Sequence, residues 1–144
     1  MKTAKILSTF LLLCCCTRLW AQKDPLERLW YNEERTAKIQ VARHADGLYY
    51  GTIVWLRDPL RDGRPKTDIN NSDVSKRNNP IVGLNILTHF KKSGENKYED
   101  GEIYDPKNGK TYSCVITANG NSLDVRGYIG FSFIGRSTVW TAAE

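Results

Sequence analysis

The stretch Asp100–Cys114, DGEIYDPKNGKTYSC, reads as two strands joined by one tight turn. Asp105-Pro106 opens the turn: the proline ring presets φ for the second turn position, and the aspartate carboxylate can accept from backbone N–H groups just ahead of it. Asn108-Gly109 closes it, because glycine takes positive φ without a Cβ clash and lets the chain reverse. On the outgoing side Thr111, Ser113 and Val115 share one face and Tyr112, Cys114 and Ile116 the other; on the incoming side Ile103 opposes Glu102 and Tyr104. Period-two patterning with β-branched and aromatic residues specifies a β-hairpin. Nothing in the stretch itself requires chemistry.

The same design recurs outward from it. Asp46-Gly47 and Asn119-Gly120 are further hairpin turns, and Ser93-Gly94-Glu95-Asn96 reverses the chain before Lys97. Strands are expected over Thr36–Arg43, Leu48–Leu56, Ile81–Phe90, Lys97–Tyr104, Lys110–Thr117, Leu123–Phe133 and Arg136–Thr141. In Leu48–Leu56 the residues Tyr49, Gly51, Ile53 and Trp55 fall on one face, and the mid-strand Gly51 suits a bend or a close backbone approach. Leu26, Leu29 and Trp30 follow Pro25 at a spacing that suits one helical turn or a short extended lead-in. The total is about eight short antiparallel strands without a long amphipathic helix. The expected fold is all-β, a small up-and-down barrel of about eight strands, since closure removes exposed edges; a sandwich is the alternative.

Residues 1–21 read as a secretory signal. Lys2 and Lys5 give a basic start, Ile6–Cys16 an apolar core too short to span a bilayer, and Ala21 a cleavage position, although Leu19 is large for the place two before it. Cys14, Cys15 and Cys16 raise the rival of a lipid anchor; Leu13 stands before Cys14 where a small residue is needed, which argues against one. Removing this segment takes out Lys2, Lys5 and Arg18 and no acid, so the net charge falls from +5 to +2. That weak basicity, without a basic cluster, argues against a nucleic-acid partner. Residues 22–144 are then one domain, exported to the periplasm or cell envelope. Cys114 is its one cysteine, which leaves stability to packing rather than to an internal disulfide.

Asp58–Pro80, DPLRDGRPKTDINNSDVSKRNNP, stands apart as a long polar loop with three prolines. Loops of this length are unusual in a small domain and often cover a site. Its Asp68, Asn70, Asn71 and Asp73 form an oxygen-rich cluster, but the calcium-loop pattern fails, and Asx residues order loops by bonding to nearby backbone. No metal and no cofactor are expected. His44 and His89 lack partners at ligand spacing, and the Gly130–Gly135 run has one residue too many for a nucleophile elbow. An enzyme built on Asp68 and Asp73 is the weakest of the readings, because no base–nucleophile pair is visible. Trp30, Trp55 and Trp140 are expected in the core or as barrel-end plugs.

The ordered set YYGTIVWLRDP, TDINN, NPIVGLNIL, GEIYDPKNGKTYSC and VRGYIGFSFIGRSTVW resembles the DUF2147 family, secreted bacterial proteins of unknown function. The resemblance implies a lipocalin-like barrel in the cell envelope and brings no catalytic residues. It also implies a glycine two residues before the tryptophan of the first strand region and an arginine near the end of the chain. Here Arg28 precedes Trp30 and Ala142 follows Trp140-Thr141, so Arg136 is the expected replacement for an arginine over Trp30. The reading that follows is a non-enzymatic barrel for one small molecule, with a solid barrel acting through its surface as the alternative. Tyr49, Trp55, Glu102, Tyr104, Tyr112, Arg126 and Tyr128 are the candidate ligand-binding residues, under a mouth covered by the 58–80 loop.

Overall fold

The computed structural model describes residues 23–131 and 134–143. Ten strands occur in chain order: β1 Leu29–Tyr31, β2 Ala37–Arg43, β3 Tyr49–Leu56, β4 Leu60–Arg61, β5 Arg64–Pro65, β6 Asn85–Lys92, β7 Lys97–Asp105, β8 Lys110–Asn119, β9 Ser122–Tyr128 and β10 Gly135–Ala142. Eight of them close an antiparallel barrel, with β4 and β5 forming a separate hairpin in the β3–β6 connection. Every barrel strand lies beside its neighbour in the chain, and the ring is sealed where β1 pairs with β10, Trp30 against Ala142 and Tyr31 against Thr141. This is the expected up-and-down closure. Among the described residues no helix is long and apolar enough to cross a membrane. Residues 1–21, read above as a secretory signal, and with them Cys14, Cys15 and Cys16, lie outside the described residues.

Local chemistry shifts several expected boundaries. Leu26 sits in a turn held by the Asp24 carboxylate, which accepts from the Leu26 N–H at 3.0 Å, and β1 then starts at Leu29 without a helix. The 81–84 segment turns through Gly83 at φ +98°, with the Leu84 N–H on the Ile81 carbonyl, so β6 begins only at Asn85. The long strand expected to Phe133 stops at Tyr128, before the positive-φ Gly130; Ser132 and Phe133 are not among the described residues.

Bulges decide which side chains face inward. Across β2 and β3, Ile39 pairs with Ile53 but Lys38 pairs with Trp55, so Val54 is one residue too many. An extra residue reverses the side-chain phase beyond it. Tyr49 and Ile53 are therefore buried, whereas Trp55 emerges on the outer wall with Val54. Two more bulges lie side by side. His89 at φ +61° lets Leu87 and Phe90, three residues apart, both point inward, and Asp100 at φ +58° does the same for Tyr98 and Gly101. They are complementary: a Cβ on Gly101 would fall 2.4 Å from the Phe90 ring, so the ring lies flat on bare backbone.

The core fills one half of the barrel. Leu26 and Trp30 are fully buried, and the Trp30 indole N–H donates to the Leu26 carbonyl at 3.0 Å. Side chains of this size contribute about 1.5–3 kcal/mol each on full burial. Ile39, Val41, Leu87, Phe90, Tyr98, Ile116 and Leu123 belong to the same buried cluster. Arg28, not Arg136, covers Trp30: its guanidinium lies 5.3 Å from the indole centroid and donates to Asn121 Oδ1 at 3.2 Å. Arg136 could not do so, because antiparallel β10 places it at the far end, next to Gly127, 3.7 Å from Glu33. One end of the barrel is thus closed and the other open.

Candidate functional site: a cavity in the open half of the barrel

The open half holds a cavity of about 960 Å³. Its inner surface is apolar, with Ile39, Ile53, Ile86, Ile103, Val125 and Trp140 contributed by six strands. Gly127 helps to make the space. It faces inward between β8 and β10, and an added Cβ would stand 3.4 Å from the nearest atom, Ile103 Cγ2. The rim is polar, with Asn32, Glu34, Arg61, Lys66, Lys107 and Arg136 among its residues.

The 58–80 segment acts as a strap over this mouth. It carries the β4–β5 hairpin and a single helical turn at Val74–Lys76, and Arg61, Thr67, Ile69 and Asn70 line the cavity. Its Asx cluster is spent on ordering it. Asp68 is fully buried and accepts from the Tyr104 hydroxyl at 2.8 Å and from Asn71 Nδ2 at 2.7 Å. Asn71 Oδ1 in turn accepts from the Asp73 N–H, and Asp73 caps the helical turn through the Ser75 N–H. Burial, with Asp68 beside it, pushes the Tyr104 hydroxyl up to about 12. The strap is pinned to the β7–β8 turn by Asn70 Nδ2, which donates to the Lys107 carbonyl at 3.0 Å and to the Pro106 carbonyl at 3.2 Å. Gly109 makes this approach feasible. At φ +71° it turns the hairpin, and a Cβ there would lie 1.8 Å from the Asn70 carbonyl oxygen.

An ion pair spans the opening. The β1–β2 turn and the β7–β8 turn lie on opposite sides of the ring, and Lys107 Nζ reaches Glu34 Oε2 at 2.6 Å. The Lys107 ammonium, by hydrogen bond and then by charge, holds the Glu34 carboxyl below the usual range. Both groups are largely solvated, so the link is weak and salt-sensitive, and water or ligand can part it.

The candidate residues divide into two sets. Tyr104, Tyr112 and Tyr128 all line the cavity. Tyr112 stands on the inner wall, opposite Ile103, with its hydroxyl accepting from Asn108 Nδ2 at 2.9 Å. The other four lie elsewhere. Tyr49 is at the closed end, where its hydroxyl donates to Asp24 Oδ2 at 3.0 Å. Burial, together with Asp24, pushes it up to about 12. Trp55, displaced outward by the Val54 bulge, packs edge-on against Tyr31 with the Lys38 ammonium over its ring. Glu102 sits between inward-facing Gly101 and Ile103 and so points out, beside Thr88 and Ser113. Arg126 alternates with Val125 and Gly127 and donates to Ser137 Oγ on the outer face. The sequence reading missed the aliphatic floor and the Glu34–Lys107 link. The apolar parity of Ala37, Ile39 and Val41 was the signal that could have found the floor.

The closed end has its own polar cluster. Asp24 accepts from the hydroxyls of Tyr49 and Tyr98, from Lys92 Nζ at 2.7 Å and from the Leu26 N–H. Burial works to raise the Asp24 carboxyl, but Lys92, Tyr98 and the other donors outweigh it and hold it below its ordinary value. Every acceptor position is engaged in tying the lead-in segment to β3, β6 and β7, which is a structural task.

A family model described as an uncharacterized protein conserved in bacteria, DUF2147, matches residues 28–142, which is nearly the whole barrel. The chain belongs to the DUF2147 family. Among solved structures, this DUF2147 protein is similar to HP1028 from the human pathogen Helicobacter pylori, whose description places it in the lipocalin family. The TM-score is 0.74 at 22% sequence identity, over 83% of each chain. At that identity the likeness establishes the shared barrel fold. Comparison with curated proteins gives no match.

Proposed function

We propose that this DUF2147 protein is a non-enzymatic carrier that holds one small, mainly apolar molecule in the open half of its barrel. The observation that carries this reading is the cavity. At about 960 Å³ it falls within the roughly 300–1,000 Å³ range of ligand sites, with an aliphatic floor and a few polar groups at one end. A barrel working only through its surface would be expected to fill its interior with side chains. The apolar body of the ligand lies against Ile39, Ile53, Val125 and Trp140, and its polar end meets Tyr112, Asn108 and the rim cations. The polar groups beside the cavity support binding rather than turnover, since Asp68 is buried and committed to Tyr104 and Asn71. The basic start and short apolar core of residues 1–21 support export of the carrier to the periplasm or cell envelope.

Native mass spectrometry of the purified protein tests the proposal. A co-purifying small molecule, or stoichiometric uptake of an added fluorescent apolar probe, is the expected result. An apo mass together with no saturable probe uptake would overturn it.

A further inference from the structure

The two ends of the barrel present different surfaces. The closed-end turns carry Asp46, Glu95, Asn96, Asn119 and Asn121, and none of the exposed large hydrophobics among the described residues lies on them. At the mouth end Leu60, Ile69, Val74, Ile129, Phe131 and Ile134 are all exposed, Val74 and Phe131 by 69% each. They come from separate segments: the β4–β5 hairpin, the rest of the strap and the β9–β10 turn. Ile69, Ile129 and Ile134 also line the cavity, so this collar is continuous with the apolar interior. Exposed apolar surface gathered in one place marks an interaction site.

Charge distinguishes the partner. Residues 58–80 carry Arg61, Arg64, Lys66, Lys76 and Arg77 against four aspartates. One of those, Asp68, is buried on Tyr104, and another, Asp73, is 3.6 Å from Lys76. The strap therefore faces solvent with an excess of cations amid the collar side chains. A second copy of this chain docked mouth to mouth would bring two cationic straps together, which opposes pairing. Apolar side chains on several separate tips, with cations among them, suit a deformable surface that has acyl chains below and anions above.

We propose that the mouth end docks on an anionic phospholipid bilayer, with the collar side chains at the acyl boundary and the strap cations on the lipid phosphates. Docking stands on the collar and the strap alone. If the carrier reading also holds, an apolar ligand passes between bilayer and cavity without crossing bulk water.

The test is co-sedimentation of the purified protein with vesicles. Vesicles of equimolar phosphatidylglycerol and phosphatidylcholine are expected to bind it, and vesicles of phosphatidylcholine alone to bind it at least several-fold less. Raising the salt should weaken the binding. The triple variant Leu60→Ser/Val74→Ser/Phe131→Ser, at exposed positions outside the cavity lining, should lose about tenfold or more in partitioning. The charge variant Arg61→Glu/Arg64→Glu should lose binding to the anionic vesicles. These side chains are exposed, so both variants should keep the wild-type unfolding midpoint and uptake of the soluble apolar probe should persist in the triple variant. Lys91→Glu, at the closed end, should bind vesicles as wild type does. Failure to bind anionic vesicles, equal loss in the Lys91 variant, or collar variants that sediment like wild type would each overturn docking. Self-association that replaces vesicle binding and disappears in the triple variant would assign the collar to a protein contact instead.

Discussion

Replacing Gly109 by alanine tests whether the strap is held against the β7–β8 turn as described. Two costs are separable. Alanine at φ +71° occupies left-handed space, at about 1–2 kcal/mol. The new Cβ would also lie 1.8 Å from the Asn70 carbonyl oxygen and 2.7 Å from its carbon. Normal contact needs a retreat of about 1.5 Å, because carbon–oxygen repulsion is steep below van der Waals distance. Such a retreat breaks the Asn70 side-chain bonds to Pro106 and Lys107, now 3.2 and 3.0 Å, at about 0.5–1.5 kcal/mol each. The sum is about 2–5 kcal/mol. Gly120→Ala is the internal control. Gly120 has φ +62° in another hairpin, but nothing lies within 4 Å of its Cβ position, so only the strain of about 1–2 kcal/mol applies. Urea unfolding of both variants gives the two costs, and amide exchange across 66–81 locates the difference. Gly109→Ala should cost more than Gly120→Ala and should speed exchange in the strap. Equal costs with unchanged strap protection would refute the close approach.

Other consequences can be checked as directly. Gly127→Leu places a side chain into the cavity rather than into a packed wall, so apolar probe uptake should fall at least tenfold while the urea midpoint moves little. Arg28→Ala removes a cation–π contact and the bond to Asn121, and urea unfolding should show a loss of about 1–2 kcal/mol, where no change would mean Arg28 does not seal that end. Asp24 has a folded-state carboxyl below its unfolded value, so its contribution is present above the unfolded value near 3.8 and is lost as pH falls through the lower folded one. The acid limb of a stability–pH curve should therefore flatten in Asp24→Asn. Burial pushes the Cys114 thiol up to about 12, so a thiol reagent at neutral pH should label it only at the rate of unfolding.

The barrel was legible because its grammar is local. Asp105-Pro106 with Asn108-Gly109, Asp46-Gly47 and Asn119-Gly120 each declare a reversal, and alternation between them declares a strand. The site was less legible because it depends on which face turns inward, and bulges alter that face without an obvious sequence signal. Tyr49 and Trp55 share a parity in the sequence but part company at Val54. Leu87 and Phe90 have opposite parity yet share the interior, since His89 absorbs the mismatch. Glu102 and Arg126 followed alternation faithfully, to the outside, and only the apolar neighbours on either side reveal it. The strap's contact with the hairpin joins Asn70 to Gly109, and no periodicity reports a contact between loops so distant in the chain.

The seam between β1 and β10 has a consequence for how the chain reaches its final form. It joins the first strand to the last through two paired positions, Trp30 with Ala142 and Tyr31 with Thr141. Until Ala142 is available, every partial assembly is an open sheet with two free edges, a template for pairing with other chains. The seam is also the contact of greatest sequence separation in the ring, and such contacts are slow to form because loop closure must precede them. Completion of the last strand, rather than hairpin formation, sets the moment at which the protein ceases to be prone to aggregation.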